Sequence, residues 1–226
     1  MPAKRPIAIF DIDGTIFRSS LLIELNARLV HERIFPQNAA DKIIAARQRW
    51  MDRKGSYEDY IHLIIQVYAR DIKGARVSDI QRVSRSVVAE QRNRVYVYTR
   101  DLIKQLRRTH SLCIISLSPA EAVAAFNKYY KFDIVAGLHY PRVNGRYTGG
   151  PSADQVDKQK ILEQILAENP VTLRGSVGVG DTESDIGFLS MVDRPIAFNS
   201  NKVLYAHARK KKWEIVAERK DVIYKI

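Results

Sequence analysis

The sequence predicts an α/β fold, a Rossmann-like three-layer core with a parallel sheet and an inserted all-helical segment. Short apolar runs alternate with amphipathic helical runs in residues 1–17 and 95–226. This alternation is typical of a parallel sheet that helices cover on both faces. Residues 18–94 show helical periodicity alone. We therefore expect residues 1–17 and 95–226 to form the core and residues 18–94, called the inserted segment below, to form a helical cap.

The predicted strands are short and continuously apolar, which is typical of strands buried on both faces of a sheet. They lie at residues 7–10, 112–115, 176–179 and 195–198. An Asn-Gly pair within residues 142–147 predicts a tight hairpin turn between two further short strands.

The inserted segment carries leucines at helix spacing from its first helical run onwards. Two pairs of residues in it resemble capping boxes, in which a serine side chain and an acid or amide three residues later close the start of a helix. These pairs are Ser56 with Asp59, and Ser78 with Gln81. We expect each pair to open one helix.

The composition narrows the class of protein. A net charge of +12 and a pI near 9.8 suit an anionic ligand, whether nucleic acid, a membrane surface or a phosphorylated metabolite. Charge alone does not choose among these three. No stretch approaches the roughly 20 apolar residues that a membrane span needs, and the first residues lack the apolar core of a secretory signal. We expect a cytoplasmic protein without a membrane partner.

The residue types available as metal ligands favour oxygen over sulfur or nitrogen. Cys113 is the single cysteine, so an internal disulfide and a cysteine-based metal site are both excluded. The five histidines are scattered without helical i,i+4 pairing, which argues against a zinc site built on imidazoles.

Two carboxylates follow the first predicted strand at once, in the run Asp-Ile-Asp-Gly-Thr at residues 11–15. Ligands of open α/β sheets collect at the carboxyl ends of the strands, where Asp11 and Asp13 would lie. The alternative is an aspartate-rich turn that merely ends the strand.

A serine and a lysine take comparable positions. Ser116 directly follows the second strand, and residues 118–121 resemble a capping box with proline at the first helical position, so a helix with free N–H groups would begin there. Ser116 is otherwise only a turn hydroxyl. Lys158 shares the inward face of the apolar stripe that follows it. Either a bound anion or a snorkelling side chain would explain an inward lysine at the start of a helix.

Asp181 and Asp185 follow the strand at residues 176–179 and would stand one helical turn apart. Alone, the pair could be an N-cap aspartate with a first-turn acid. Together with the preceding residues, however, it completes a set of carboxylates, a hydroxyl and a lysine at one edge of one sheet. Grouped carboxylates need a cation, and hard oxygen ligands favour Mg²⁺.

In this order, the residues resemble the four motifs of the haloacid dehalogenase superfamily of phosphotransferases. Residues 11–15 are similar to its nucleophile motif, Ser116 to its second motif, Lys158 to its third and residues 180–185 to its acidic fourth. The set spans most of the chain. The helical insertion between the first two motifs is similar to the cap, of the C1 type, of the phosphoserine-phosphatase-like branch, subfamily IB.

The resemblance implies a Mg²⁺-dependent phosphoric monoester hydrolase that acts on a small phosphorylated substrate. Asp11 would attack phosphorus and form an aspartyl-phosphate. Asp13 would protonate the leaving oxygen and then activate the water that breaks the intermediate. Mg²⁺ would be held by the carboxylates of Asp11 and Asp181 and by the backbone carbonyl of Asp13.

The resemblance also implies supporting roles. Ser116 and Lys158 would hold phosphate oxygens, and Asp185 would position Lys158 or the water around the metal. Ser20 and Ile64 depart from the phosphoserine phosphatase pattern, because they stand where such enzymes carry an acid and an arginine for the amino-acid part of the substrate. After a shift of register, Glu24 or Arg70 would take those two roles.

Three alternative functions stay open at this point. Phosphotransfer to an acceptor alcohol would use the same residues. Basic clusters at residues 107–108 and 209–212 keep dephosphorylation of a nucleic-acid end in view, although such runs are usually a solvated face. A non-catalytic phosphate-binding scaffold belongs to another class, and two carboxylates that repel phosphate argue against it.

Overall fold

A computed structural model describes residues 4–151 and 156–226 of the chain. The strands in chain order are β1 (Arg5–Phe10), β2 (Ser111–Pro119), β3 (Ile134–Leu138), β4 (Arg142–Val143), β5 (Arg146–Tyr147), β6 (Val171–Gly180), β7 (Arg194–Phe198), β8 (Glu214–Arg219) and β9 (Val222–Lys225). Within this part of the chain β4 and β5 form a separate hairpin, and the other strands form one sheet.

The sheet has the order β3-β2-β1-β6-β7-β8-β9. Neighbouring strands run parallel except β8 and β9, which are antiparallel. The chain winds outward from β1 in both directions, through β2 and β3 on one side and through β6, β7 and β8 on the other. Such a switch point is where open α/β sheets bind their ligands. The carboxyl end of β1 is therefore the place where the topology puts a site.

The helices are α1 (Leu21–His31), α2 (Asn38–Met51), α3 (Tyr57–Asp71), α4 (Val77–Gln91), α5 (Val97–Leu106), α6 (Ala120–Tyr130), α7 (Lys158–Glu168), α8 (Ile186–Leu189) and α9 (Lys202–Lys211). A 3-10 turn at Glu183–Asp185 precedes α8. In the described ranges, no helix combines the length and the apolar character that crossing a membrane requires.

The side chains of β1 alternate between two hydrophobic clusters on opposite faces of the sheet, as the pleat of a strand requires. Ala8 and Phe10 pack into the cluster that also contains the apolar residues of α5 and α6. Ile7 and Ile9 pack into the other cluster, with residues of α7, α8 and α9. Helices thus cover both faces of a mostly parallel sheet, and the predicted α/β fold class is confirmed.

Helices α1 to α4 are inserted between β1 and α5. The chain leaves and rejoins the core at one place, where Phe17 forms a β-bridge with Val95 and the N–H of Arg18 donates to the carbonyl oxygen of Arg94 (2.9 Å). The hydrophobic cluster on the α6 face of the sheet continues into these helices, so the insertion packs against the core. The division into two domains at the predicted boundaries stays a prediction.

The four predicted strands are present, each somewhat longer than the apolar run that predicts it. The predicted hairpin is also confirmed, because Asn144 (φ 50°) and Gly145 (φ 74°) both have the positive φ of a type I′ turn between β4 and β5. Strands β3, β8 and β9 were not predicted from the sequence.

The two capping boxes predicted in the inserted segment have different outcomes. Ser56 caps α3, since its hydroxyl accepts the N–H of Asp59 (2.9 Å) and the Asp59 carboxylate accepts the N–H of Ser56 (3.1 Å). The box at Ser78 was wrong, because α4 already begins at Val77. The N–H of Val77 donates instead to the carbonyl oxygen of Gly145 in the hairpin turn (2.9 Å).

Candidate active site

The predicted site residues lie at the carboxyl ends of three neighbouring strands. Asp11 directly follows β1, and its N–H continues the ladder by donating to the carbonyl oxygen of Val179 in β6 (3.0 Å). Ser116 lies in β2 and Asp181 directly follows β6. Because β1 is the middle strand of the three, the switch point of the sheet brings these side chains to one edge.

Lys158 joins two carboxylates at the centre of the site. Its Nζ lies 2.8 Å from Oδ1 of Asp11 and 2.6 Å from Oδ1 of Asp185, and all three side chains are buried. Burial alone would lower the pKa of the Lys158 ammonium, but the facing carboxylates outweigh burial and raise it. Lys158 is therefore a buried cation, on the inward face of α7 as its spacing predicts.

Asp185 uses both of its oxygens within the protein. Oδ1 accepts from Lys158, and Oδ2 accepts the backbone N–H groups of Asp181 (2.9 Å) and Thr182 (3.0 Å). These bonds fix the loop between β6 and the 3-10 turn. Asp185 thereby sets the positions of Lys158 and Asp181 together.

Asp11, Asp181 and Asp185, called the carboxylate cluster below, each place an oxygen within 4.8 Å of the others. Burial raises the pKa of Asp11 to about 7, although the Lys158 charge lowers it. Burial, reinforced by the charge of Asp11, holds the pKa of Asp181 well above its usual range. If all three carboxylates were ionised, they would leave excess negative charge against one lysine in a buried place, and hard oxygen donors of this kind fit a divalent cation such as Mg²⁺.

Gly14 makes room for this cluster. Its φ of +76° lies in the left-handed region, and a Cβ at this position would stand 2.0 Å from Oδ2 of Asp181. The hydroxyl of Thr15, the next residue, donates to Oδ1 of Asp181 (3.3 Å). The turn after Asp13 therefore both admits and holds the Asp181 carboxylate.

Asp13 lies beside the cluster and is held by different partners. Its Oδ1 accepts the N–H of Leu21 (2.6 Å), the first residue of α1, and its Oδ2 accepts the hydroxyl of Ser118 (2.5 Å). Burial raises the pKa of Asp13 even though both hydrogen bonds lower it. The Asp13 charge in turn raises the pKa of Asp11, so the two carboxylates are electrostatically coupled.

The serines of β2 require a correction. The predicted capping box at residues 118–121 was wrong, because β2 continues to Pro119 and α6 begins at Ala120 without a side-chain cap. The Ser118 hydroxyl reaches Asp13 instead of a helix end. Ser116 is buried, and its Oγ accepts the N–H of Ser118 (3.2 Å).

The positions considered for the amino-acid part of a substrate are already engaged within the protein. Ile64 is fully buried in the inserted segment. Arg70 pairs with its neighbour Asp71 (2.6 Å) near the end of α3, roughly 20 Å along that helix from its first residue. Glu24 accepts from Ser19 (2.9 Å) and from Gln91 (2.7 Å).

Three further residues at the carboxyl edge of the sheet were not predicted from the sequence. Ser118 could have been found from its spacing of two from Ser116, which puts both residues on one face of a regular strand. Tyr57, at the start of α3, carries no sequence signal that points to the site. Asn201, after β7, carries none either, although its N–H donates to the carbonyl oxygen of Asp181 (2.9 Å).

Residues 8–190 match the family of haloacid dehalogenase-like hydrolases. The chain belongs to this family. The predicted membership is thereby confirmed, and the similarity extends to phosphoserine phosphatases. The chain is 21% identical over 206 residues to a phosphoserine phosphatase of Archaeoglobus fulgidus. The matched region covers 89% of this chain and 54% of that protein. This chain thus spans about half the length of that curated relative.

Solved structures show the same fold. A protein of unknown function from Bordetella pertussis Tohama I matches with a TM-score of 0.72 at 16% identity, covering 94% of this chain and 98% of that one. A substrate-bound phosphoserine phosphatase complex matches with a TM-score of 0.62 at 18% identity, covering 96% and 94% of the two chains.

Proposed function

We propose that this protein is a magnesium-dependent phosphatase that hydrolyses a small phosphomonoester through a phosphoryl group carried on Asp11. The observation that carries the proposal is the buried contact between Asp11 and Lys158, beside Asp181, at the end of the central strand. A carboxylate can attack phosphorus only where the negative charge of the phosphate is offset. Lys158 and a divalent cation would offset it.

The metal site in this proposal uses oxygens that accept no hydrogen bond from the residues that the structure describes. Asp11 gives one oxygen to Lys158, and Asp181 gives one to Thr15, so each keeps a second oxygen. Asp185 has committed both of its oxygens, which suits a supporting residue better than a ligand. We assign the ligands as the carboxylates of Asp11 and Asp181 and the backbone carbonyl of Asp13. Bound there, Mg²⁺ would neutralise phosphate charge and polarise phosphorus.

The first step moves the phosphoryl group to the protein. An oxygen of Asp11 bonds to phosphorus as the bond from phosphorus to the ester oxygen breaks, and Asp13 gives that oxygen a proton so that the alcohol leaves. Burial favours the protonated form of Asp13 that this step needs. Lys158 and the Ser116 hydroxyl would bind the phosphate oxygens that do not react.

The second step returns Asp11 to its carboxylate form. Asp13, now ionised, takes a proton from water as the water oxygen attacks phosphorus, and the bond from Asp11 to phosphorus breaks. Inorganic phosphate leaves. The hydrogen bonds from Ser118 and Leu21 hold the Asp13 carboxylate in place through both steps.

The inserted segment acts as a cap in this proposal. It joins the core at residues 17–18 and 94–95, and the Asp13 carboxylate binds the N–H of Leu21, at the start of its first helix. Closure over the site would exclude water and select the substrate.

We also propose that the protein is cytoplasmic. Cys113 is a buried free thiol, which suits a reducing compartment.

The test is hydrolysis of p-nitrophenyl phosphate by the whole chain in the presence of Mg²⁺. The Asp11→Asn variant should lose at least about a thousandfold in kcat, because it removes the nucleophile. Adding excess EDTA to the wild-type protein should abolish turnover as well. The exposed Asp101→Asn is the matched control, since Asp101 lies on α5 and pairs with its neighbours Arg100 and Lys104.

Two results would count against the proposal. Equal activity of wild type and Asp11→Asn would remove Asp11 from the role of nucleophile, and undiminished activity in EDTA would remove the metal. A folded wild-type protein without activity would instead favour a phosphate-binding scaffold. Circular dichroism of each variant establishes that it is folded.

A further inference from the structure

Three aromatic side chains, called the aromatic cluster below, meet where α2 ends and α3 begins. The Trp50 ring stacks on the Tyr60 ring with centroids 5.9 Å apart and planes 7° apart, and the Tyr57 ring lies 5.1 Å from Trp50. Tyr60 is 3% exposed, Trp50 is partly buried and Tyr57 is 40% exposed. The cluster therefore runs outward from the packed interior of the inserted segment to a ring in contact with solvent.

The outer ring of the aromatic cluster lies beside the catalytic edge of the sheet. Glu58, next to Tyr57, accepts a hydrogen bond from the Asn201 side chain (3.3 Å), and Asn201 binds Asp181 through its backbone. Burial raises the pKa of the Tyr57 phenol, and the charges of Asp13 and Asp181 raise it further. A hydrogen-bonded connection and an electrostatic one thus both place Tyr57 near the reacting groups.

A second flat group lies near this side of the site, because the N–H of Tyr96 donates to the carbonyl oxygen of Ile16 (3.0 Å), the residue after Thr15. Burial, followed by the charge of Asp181, raises the pKa of Tyr96. The Arg18 guanidinium lies over the Tyr96 ring, 5.6 Å from its centroid. Tyr96 and Arg18 belong to the junction between the inserted segment and the core, whereas Tyr57 belongs to α3. Planar groups therefore approach the Asp181 side of the site from two separate parts of the chain.

We propose that the aromatic cluster selects phosphomonoesters whose leaving alcohol carries a planar ring, which packs on Tyr57 and Trp50 while the phosphoryl group meets Asp11. This inference rests on the proposed phosphatase function and narrows its substrate class. Ring pairs gain electrostatic complementarity between edge and face in addition to the area that they bury. A saturated ring of the same size buries similar area without that gain.

The test compares benzyl phosphate with cyclohexylmethyl phosphate in the presence of Mg²⁺. Both esters carry the same charge and release a primary alcohol, so they differ mainly in the planarity of the ring. Wild type should show a kcat/KM for benzyl phosphate about 2- to 10-fold higher than for cyclohexylmethyl phosphate, with the difference in KM. A ratio near one in the wild-type protein would overturn the proposal.

Variants of the cluster locate the preference. Tyr57→Leu should bring the ratio close to one, whereas Tyr57→Phe should keep it because the ring remains. Trp50→Leu should also reduce it. Met51→Leu is the matched control, since Met51 is the exposed neighbour of Trp50 in sequence and belongs to no part of the aromatic cluster. A ratio retained in both leucine variants of the cluster would show that these rings only pack the inserted segment.

A binding measurement separates this proposal from the proposed function. In Trp213→Phe protein Trp50 is the remaining tryptophan, and adding Asp11→Asn prevents turnover. Benzyl phosphate should change the Trp50 emission with a Kd lower than that of cyclohexylmethyl phosphate. Hydrolysis of neither ester by wild type would count against the phosphatase, while equal Kd values for the two esters would count against ring selection.

Discussion

Charges in the catalytic core and charges on the inserted segment are paired in different ways. Lys158 is 3% exposed and contacts Asp11 and Asp185, which are equally inaccessible and lie far from it in sequence. Arg28 of α1 pairs with Glu90 of α4, but their side chains are 30% and 50% exposed. The same kind of contact therefore exists in a dry environment in one region and at the surface in the other.

The molecule therefore depends on its buried charges more than on its exposed ones. A buried ion pair has lost its hydration, so removing one partner leaves the other uncompensated in a medium of low dielectric constant. An exposed pair keeps most of its hydration, and each partner tolerates the loss of the other. The core is thus committed to one arrangement of charges, while the surface of the inserted segment can change with little effect on folding.

The largest expected effect in this comparison follows from Lys158→Met. The substitution leaves Asp11 and Asp185 facing each other without a cation, and we expect it to lower the free energy of unfolding by about 3–5 kcal/mol. Urea denaturation in EDTA, followed by circular dichroism, measures the change without added metal.

Arg28→Met is the matched control for that experiment. It also replaces a cation by methionine, but at an exposed pair, and should cost no more than about 1 kcal/mol. If the two variants lost similar free energies of unfolding, burial would not decide how much each ion pair contributes to stability.

An intermediate effect is expected from Gly14→Ala, which disturbs the carboxylate cluster without changing a charge. The added Cβ would meet Oδ2 of Asp181, and the positive φ alone costs about 1–2 kcal/mol for a residue with a side chain. We expect a larger loss of unfolding free energy than the backbone term and a weaker affinity for Mg²⁺, measured by calorimetry.

Gly145→Ala provides the control for the backbone term. Gly145 has a similar φ of +74°, but a Cβ there would meet nothing within 4 Å. It should lose about 1–2 kcal/mol and leave Mg²⁺ binding unchanged. If both glycine variants kept the wild-type affinity for Mg²⁺, Asp181 would not be placed by the turn at Gly14.

Much of the core and of the site could be predicted from sequence, for physical reasons that differ by residue. Asp11 and Asp181 were predictable because each ends a short apolar run, and the ends of parallel strands meet at one edge. Lys158 was predictable because helical spacing puts it on an apolar face. In these cases a local pattern and the global topology point to the same place.

Other features could not be read from local pattern. Ser118 satisfies the spacing of a capping box, yet β2 continues past it and directs its hydroxyl to Asp13. Strand β9 carries a short run of strand-forming residues at 222–224, but it is exposed along its whole length and pairs antiparallel with β8, so the buried parallel pattern of the core strands does not identify it. Tyr57 lies beside this edge of the sheet only because α3 packs there, where the neighbouring Glu58 accepts a hydrogen bond from Asn201. Contacts between distant parts of the chain decide each of these features.

The last prediction, with the smallest effect, concerns which of two serines in the inserted segment caps a helix. The sequence alone did not distinguish them. Ser56→Ala removes the hydroxyl that accepts the N–H of Asp59, and should lower the free energy of unfolding by about 1 kcal/mol. Ser78→Ala removes an equally suggestive serine that lies inside α4, where alanine has the higher helix propensity, and should be neutral or slightly stabilising. Both variants are compared by urea denaturation. A loss at Ser78 as large as that at Ser56 would mean that the Ser78 side chain caps α4. The helix would then begin after Ser78, which contradicts its start at Val77 and the hydrogen bond from Val77 to Gly145.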